Sequence, residues 1–336
     1  MTTAPRRSSG WRAARVVLIL FGQLAVALVL LEVVARAVDL IGISYYPETA
    51  AYVRTLVQEE PIGYRNAFHL NGEFWGAPVT INSLGMRDRE VEIEKTSGEF
   101  RIMMLGDSFV FGVGARQDET VARLLEARLN AFSDGEPRFR TLNMGAISYN
   151  TEQELIQLEA LGPRLEPDLV TLFFSVNDIE PKMWVFDKRR SLVVRLVERS
   201  YALCLLAVAY REARFMVGGT DDRVALGAYE ASSPRWVAVE TSLARIARWC
   251  REREVPFILF TRFETEPSAL RTLFDSTTSR LGIAVENVVP RSDHRWADLG
   301  PRDLANSRVD GHPNRTGSEA YAILVQEALE KAGVLP

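Results

Sequence analysis

The sequence predicts an α/β fold, a parallel sheet covered by helices on both faces, preceded by one membrane-spanning helix. Three observations predict it. From residue 101 onward, short apolar runs alternate with segments of helical period. One of those runs, Leu169 to Phe174, carries no charged residue, as expected of a strand buried on both faces. Far upstream, Val16 to Leu31 is apolar except for Gly22 and Gln23, and the apolar character continues, interrupted, to about Ile43. A run of that length can cross a bilayer as a helix, with Glu32 and Arg36 near its far end.

Arg6, Arg7, Arg12 and Arg15 precede the apolar run. By the positive-inside rule they hold the N-terminal tail, residues 1–15, in the cytoplasm. The remainder is then expected outside the cytoplasm, in the periplasm if the cell has an outer membrane. A cleaved signal peptide is the rival reading, because Ala35-Arg36-Ala37 has a small-x-small pattern. The length of the run and the position of Glu32 favour a retained anchor over residues 16–43. A buried soluble helix fits less well, since no polar face interrupts Val16 to Ala27.

Residues 44–98 are rich in Gly, Asn and aromatics and lack a clear period. They read as a connector packed on a domain face, with short strands at most. The domain itself is expected over residues 99–336. Strands are predicted at Arg101 to Leu105, Phe139 to Leu142, Leu169 to Phe174, Phe257 to Phe260 and within Ile283 to Val289. Helices are predicted at Glu119 to Ala131, Thr151 to Leu161, Pro234 to Arg253, Leu270 to Arg280 and Thr316 to Lys331. A helical insertion is expected within residues 179–234, notably apolar from Tyr201 to Ala209.

With 40 basic against 44 acidic residues, net charge −4, there is no electrostatic case for nucleic-acid binding. Cys204 and Cys250 are too few for a disulfide framework, and no Cys/His cluster suggests zinc. The three histidines, His69, His294 and His312, leave few candidates for a base that works near neutral pH.

In parallel sheets, ligands bind at the carboxyl ends of the strands. The loops to read first are therefore Gly106-Asp107-Ser108, Asn143-Met144-Gly145, Ser175-Val176-Asn177-Asp178 and Asp310-Gly311-His312. Ser108 follows a strand at once, and a serine nucleophile needs an adjacent base. His312 is the best base, with Asp310 two residues before it to orient the imidazole. Attack on an ester creates an oxyanion, for which the backbone N–H groups of Ser108 and Gly145 and the Asn177 amide are the candidate donors. Asp107 and Asp178 read as bracing residues, and His294 as a surface residue.

Leu105-Gly106-Asp107-Ser108-Phe109 resembles the first block of the SGNH/GDSL hydrolases. Asn143-Met144-Gly145 resembles their glycine block, Asn177-Asp178 their asparagine block, and Asp310-Gly311-His312-Pro313-Asn314 with Gly317 their terminal histidine block. The blocks stand in family order between about residues 101 and 331. The resemblance implies a flavodoxin-like three-layer α/β/α domain with a central parallel sheet. It implies Ser108 as nucleophile, Asp310 and His312 as the rest of a catalytic triad, and Ser108, Gly145 and Asn177 as the oxyanion hole. It implies no metal and no organic cofactor. Phe109 replaces the usual leucine, and Ser175 stands where glycine is usual. One residue separates Asp310 from His312, where two are commonest; the shorter spacing resembles SGNH-like polysaccharide O-acetyltransferases. Asn82-Ser83-Leu84-Gly85-Met86-Arg87 looks like a feature of membrane-anchored SGNH proteins, and by its residues alone it reads as a turn with Gly85 in an unusual conformation.

The expected activity is therefore hydrolysis of an acyl ester, with acetyl groups on carbohydrate as the concrete expectation. Transfer of the same acyl group to a polysaccharide hydroxyl is the alternative. A carbohydrate-binding or scaffold protein with a degenerate site is opposed by the intact Ser, Gly, Asn and His. Nucleotide binding through Gly112 and Gly114 lacks the third glycine of the dinucleotide fingerprint and any Walker A motif.

Overall fold

A computed structural model of the chain describes residues 9–39, 41–133, 136–182, 192–216, 230–264, 268–300 and 302–336. Arg6, Arg7 and much of the expected 179–234 insertion (183–191 and 217–229) lie outside the described residues. In chain order the elements are α1 (Ser9–Val38), α2 (Tyr45–Val53), β1 (Val57–Glu59), β2 (Gly63–Arg65), β3 (Asn71–Phe74), β4 (Ala77–Thr80), β5 (Glu99–Gly106), α3 (Ser108–Phe111), α4 (Val121–Phe132), β6 (Arg138–Asn143), α5 (Thr151–Leu165), β7 (Leu169–Phe174), α6 (Leu192–Val197), α7 (Tyr201–Met216), α8 (Pro234–Arg251), β8 (Phe257–Thr261), α9 (Ser268–Leu281), β9 (Ala284–Asn287) and α10 (Arg315–Lys331).

These elements divide into two units. One comprises residues 1–50 with 190–220, the other residues 51–189 with 221–336. In the first, Trp11–Val38 of α1 is long and apolar enough to cross a membrane, which makes it a candidate anchor or signal sequence. Most of its apolar side chains are exposed, Leu18, Phe21 and Leu24 among them. Only Leu28, Leu31, Glu32 and Ala35 are covered along one stripe, at the i, i+3, i+4, i+7 spacing of a helix face, and α7 packs on α1.

In the second unit five strands form one parallel sheet in the order β6-β5-β7-β8-β9. Counted within the sheet that is 2-1-3-4-5, the flavodoxin-like order, whose switch point lies between β5 and β7. β5 shows why the sheet must be sandwiched. Ile102 and Met104 point into a core shared with Leu125 of α4 and with Val325 and Leu329 of α10. Met103 and Leu105 point the other way, toward Leu155 and Leu158 of α5 and Leu243 and Ile246 of α8. All four strand residues are fully buried. β7 is buried along its whole length, as its composition predicts.

The connector holds two antiparallel hairpins, β1–β2 and β3–β4, and also the helix α2, which the sequence reading did not foresee. Pro47 falls in the first turn of α2, where a missing N–H goes unnoticed. The segment from Asn82 to Arg87 forms a clamp. The Asn82 Oδ1 accepts the N–H groups of Leu84 and Met86 at 2.9 and 3.0 Å, and Gly85 turns at φ 81°. Arg87 is fully buried and donates to the carbonyls of Phe111, Gly112 and Ala115, around the end of α3. Its chemistry is thus structural. Arg87→Met should destabilise the chain by about 2–4 kcal/mol, since several buried carbonyls lose a charged donor. Denaturant unfolding would measure this, and a loss below about 0.5 kcal/mol would mean water replaces the guanidinium.

Candidate active site

The serine turn is built by its neighbours. A side chain at Gly106 would meet Val110 Cγ2 at 2.4 Å, so only glycine lets the chain fold tightly out of β5. Asp107 then caps α3, its Oδ1 accepting the Phe109 N–H at 2.8 Å. Ser108 is consequently the first residue of a one-turn helix, where a backbone N–H has no partner within the helix.

The histidine comes from the loop before α10. The Asn306 N–H donates to the His312 carbonyl at 2.8 Å, and the Ser307 N–H donates to the Asp310 carbonyl at 3.1 Å. The Ser307 hydroxyl accepts the Asp310 N–H at 3.0 Å, and Asn314 caps α10 through the Gly317 N–H at 2.9 Å. Held this way, His312 Nε2 lies 2.7 Å from Ser108 Oγ, and its Nδ1 lies 2.6 Å from Asp310 Oδ1. A carboxylate facing Nδ1 favours the tautomer with its proton there, in which Nε2 is the acceptor facing the Ser108 hydroxyl. Asp310 is buried, and its second oxygen accepts from the Asn306 amide at 3.0 Å. The same amide donates to the Val113 carbonyl at 2.8 Å, which ties the histidine loop to the serine loop. Sequence reading missed Asn306, since no local pattern singles it out.

Asn177 sits in a short turn after β7. Asp178 folds that turn, accepting the Ser175 N–H at 2.5 Å and the Thr151 hydroxyl at 3.2 Å. The Asn177 amide is half-buried and makes one long bond, 3.4 Å, to the Tyr149 carbonyl. Arg262, just past β8, donates to the Ser175 hydroxyl at 3.1 Å and stands 4.2 Å above the Phe109 ring.

Gly145 has a different task from the one expected of it. Its N–H donates to Asn143 Oδ1 at 3.0 Å, a turn closed by the side chain two residues earlier, so this donor is already taken. The residue is glycine because a Cβ would strike the backbone of Phe111 at 2.1 Å. In the same loop Ser148 adopts φ 58°, and from Met144 to Asn150 it alone is not buried.

Beneath the site lies Glu154, fully buried on the first turns of α5, with neither carboxyl oxygen hydrogen-bonded among the described residues. Burial, reinforced by the nearby Asp178 and Asp107 carboxylates, raises its affinity for a proton well above the ordinary carboxylate range. The folded chain then keeps a proton that the unfolded chain releases above about 4.5, so stability declines as pH rises past that value. Glu154→Gln removes the part of this dependence that belongs to Glu154; buried Asp178, raised in the same direction, keeps its own. The variant's melting temperature should exceed that of the wild type by about 2–4 °C or more near pH 8 and match it near pH 4. Equal shifts at both pH values would show that Glu154 holds no proton of its own.

A family model described as the GDSL-like Lipase/Acylhydrolase family matches residues 104–320, from the serine strand through the histidine loop. The chain belongs to this family. As a GDSL-like acylhydrolase it is an ester-hydrolysing serine hydrolase. Among solved structures it is similar in fold to LAE5, an α/β hydrolase from the metagenome of Lake Arreo, Spain, at 18% identity over 73% of this chain and 99% of that one, TM-score 0.44. TesA matches at 15% identity over 70% and 99%, TM-score 0.43. A two-domain esterase active on acetylated mannans matches at 16% identity over 70% and 50%, TM-score 0.44. No curated protein sequence matches the GDSL-like chain closely enough to count as a relative.

The remaining candidates lie apart from this chemistry. The His294 side chain is 92% exposed beside Asp293. Cys204 and Cys250 are buried free thiols. Among the described residues, no group of three His, Cys, Asp or Glu side chains is placed to hold a metal ion.

Proposed function

We propose that this GDSL-like hydrolase is an extracytoplasmic, membrane-anchored esterase that removes acyl groups, acetyl groups on carbohydrate in particular, through an acyl-enzyme on Ser108. The observation that carries this reading is the unbroken line Ser108–His312–Asp310, at 2.7 and 2.6 Å, beside the switch point of the sheet. Ser108 Oγ attacks the ester carbonyl carbon while its proton passes to His312 Nε2, and Asp310 stabilises the imidazolium. The oxyanion is received by the Ser108 N–H and the Asn177 amide. The Ser148 N–H takes the place first given to Gly145, and the left-handed strain at Ser148 is of the kind that persists where it serves a site. Collapse of this intermediate breaks the ester C–O bond, and the leaving alcohol takes the proton from His312. Water, deprotonated by the same imidazole, then attacks the acyl-enzyme; the bond from the acyl carbon to Ser108 Oγ breaks, Oγ takes the proton back from His312, and the acid is released.

The apolar length of α1, with Arg12 and Arg15 ahead of its apolar run, supports a retained anchor and an extracytoplasmic domain. The single-residue spacing Asp310-Gly311-His312 favours a second reading, in which a polysaccharide hydroxyl replaces water in the last step. Incubating the purified protein with acetylated oligosaccharides, with and without unacetylated acceptor, separates the two. Free acetate alone supports the esterase, and acetyl groups moved to the acceptor support the transferase. Neither product, from any acetylated glycan, would remove carbohydrate from the proposal.

A further inference from the structure

We propose that α6 and α7 lie in the lipid headgroup region of the same membrane that α1 crosses, joined to α1 by Glu32. The inference rests on the reading of α1 as a membrane anchor. Glu32 is the one acidic residue of α1, and its carboxylate meets the start of α7. Oε2 accepts the Ser200 hydroxyl at 2.7 Å and the Ala202 N–H at 2.8 Å, and Oε1 accepts the Tyr201 N–H at 3.2 Å. Arg36 donates to Oε1 at 2.6 Å and to the Arg199 carbonyl at 3.4 Å, with its guanidinium 4.9 Å from the Tyr201 ring centre. The first N–H groups of α7, which a helix cannot satisfy by itself, are thus answered by a residue of α1.

Such a joint suits a place where water is scarce, because a bare N–H or an unpaired carboxylate is costly there. The depth agrees. At 1.5 Å per residue, Val16 to Glu32 covers about 24 Å, against about 30 Å for a bilayer core, so Glu32 lies near its far edge. The surface around the joint agrees as well. Leu192, Val194 and Leu196 of α6 and Leu206 and Tyr210 of α7 are exposed, at 41 to 70%. Exposed Arg195 and Arg199 are interleaved with them, a mixture that buries apolar side chains in lipid while the guanidinium groups reach phosphate. Because α7 packs on α1, whose covered stripe holds Leu28, Leu31 and Ala35, lipid around α1 at this level continues onto α6 and α7. A cut at Ala35-Arg36-Ala37 would remove Glu32, so the joint also requires α1 to be retained.

The test uses the full chain in phosphatidylethanolamine–phosphatidylglycerol vesicles, with a photo-crosslinking amino acid in place of Leu196, Leu206, Leu24 or Val237. Leu24 reports on the anchor, and Val237 is an exposed residue of α8. The expected result is lipid adducts at Leu24, Leu196 and Leu206 and none at Val237, on a chain of uncleaved mass. In a Glu32→Ala background, adducts at Leu196 and Leu206 should fall severalfold while those at Leu24 persist. Adducts at Leu24 without any at Leu196 and Leu206 would overturn the inference and leave the anchor standing. No adduct at Leu24, or a chain beginning after Ala37, would overturn both. Adducts at Leu196 and Leu206 that are insensitive to Glu32→Ala would overturn the role of Glu32 as the joint.

Discussion

Ser108→Ala lowers kcat for ester hydrolysis by about a thousandfold or more, His312→Ala does the same, and the double variant is hardly slower than either. The expectation follows from the two short contacts at Ser108 and Asp310, which under the proposed mechanism would make the three side chains one device. Without His312 the serine hydroxyl keeps its proton and remains a weak nucleophile. Without Ser108 the imidazole has nothing to activate except water at the wrong distance. Once either is gone, removing the other takes away little more. Steady-state rates for the three variants on one activated ester decide the matter. Losses that multiply would mean that the two residues act in separate steps.

Asn177→Ala should lower kcat by about 100- to 1,000-fold and change KM little. Among the described residues the Asn177 amide makes one long bond, at 3.4 Å, which under the proposed mechanism leaves donor capacity for charge that develops during the reaction. Asp178 holds the turn and is left intact by this change, so the variant keeps its fold. An effect on KM alone would assign Asn177 to substrate binding. Glu154, deep under the same loop, offers an independent control, since its replacement acts on stability as pH changes.

Most of the sheet could be read from the sequence because β5, β6, β7 and β8 are largely buried, unlike the edge strand β9. Leu169 to Phe174 coincides with β7, and the loops after β5 and before α10, singled out in the sequence, bring Ser108 and His312 within 2.7 Å of each other. Three features resisted for physical reasons. α2 has no clean apolar stripe, with tyrosines at both ends and Pro47 in its first turn. Arg87 looks like a surface arginine by type, and only the fold surrounds it with carbonyl oxygens. Gly145 was assigned by its place in a motif, although Asn143 two residues earlier carried the signal that its side chain would close on the glycine N–H. The left-handed Ser148 carries no such signal, because serine does not announce a positive φ.

The central claim is that Ser108 is an activated nucleophile, and fluorophosphonate labelling tests it most directly. The protein is treated with the probe, digested and mapped by mass spectrometry, alongside Ser108→Ala and with folding checked by circular dichroism. The account predicts a single phosphonylated site at Ser108, absent from the variant and slowed strongly by His312→Ala. A folded protein that stays unlabelled, or that labels elsewhere and equally in Ser108→Ala, would contradict it.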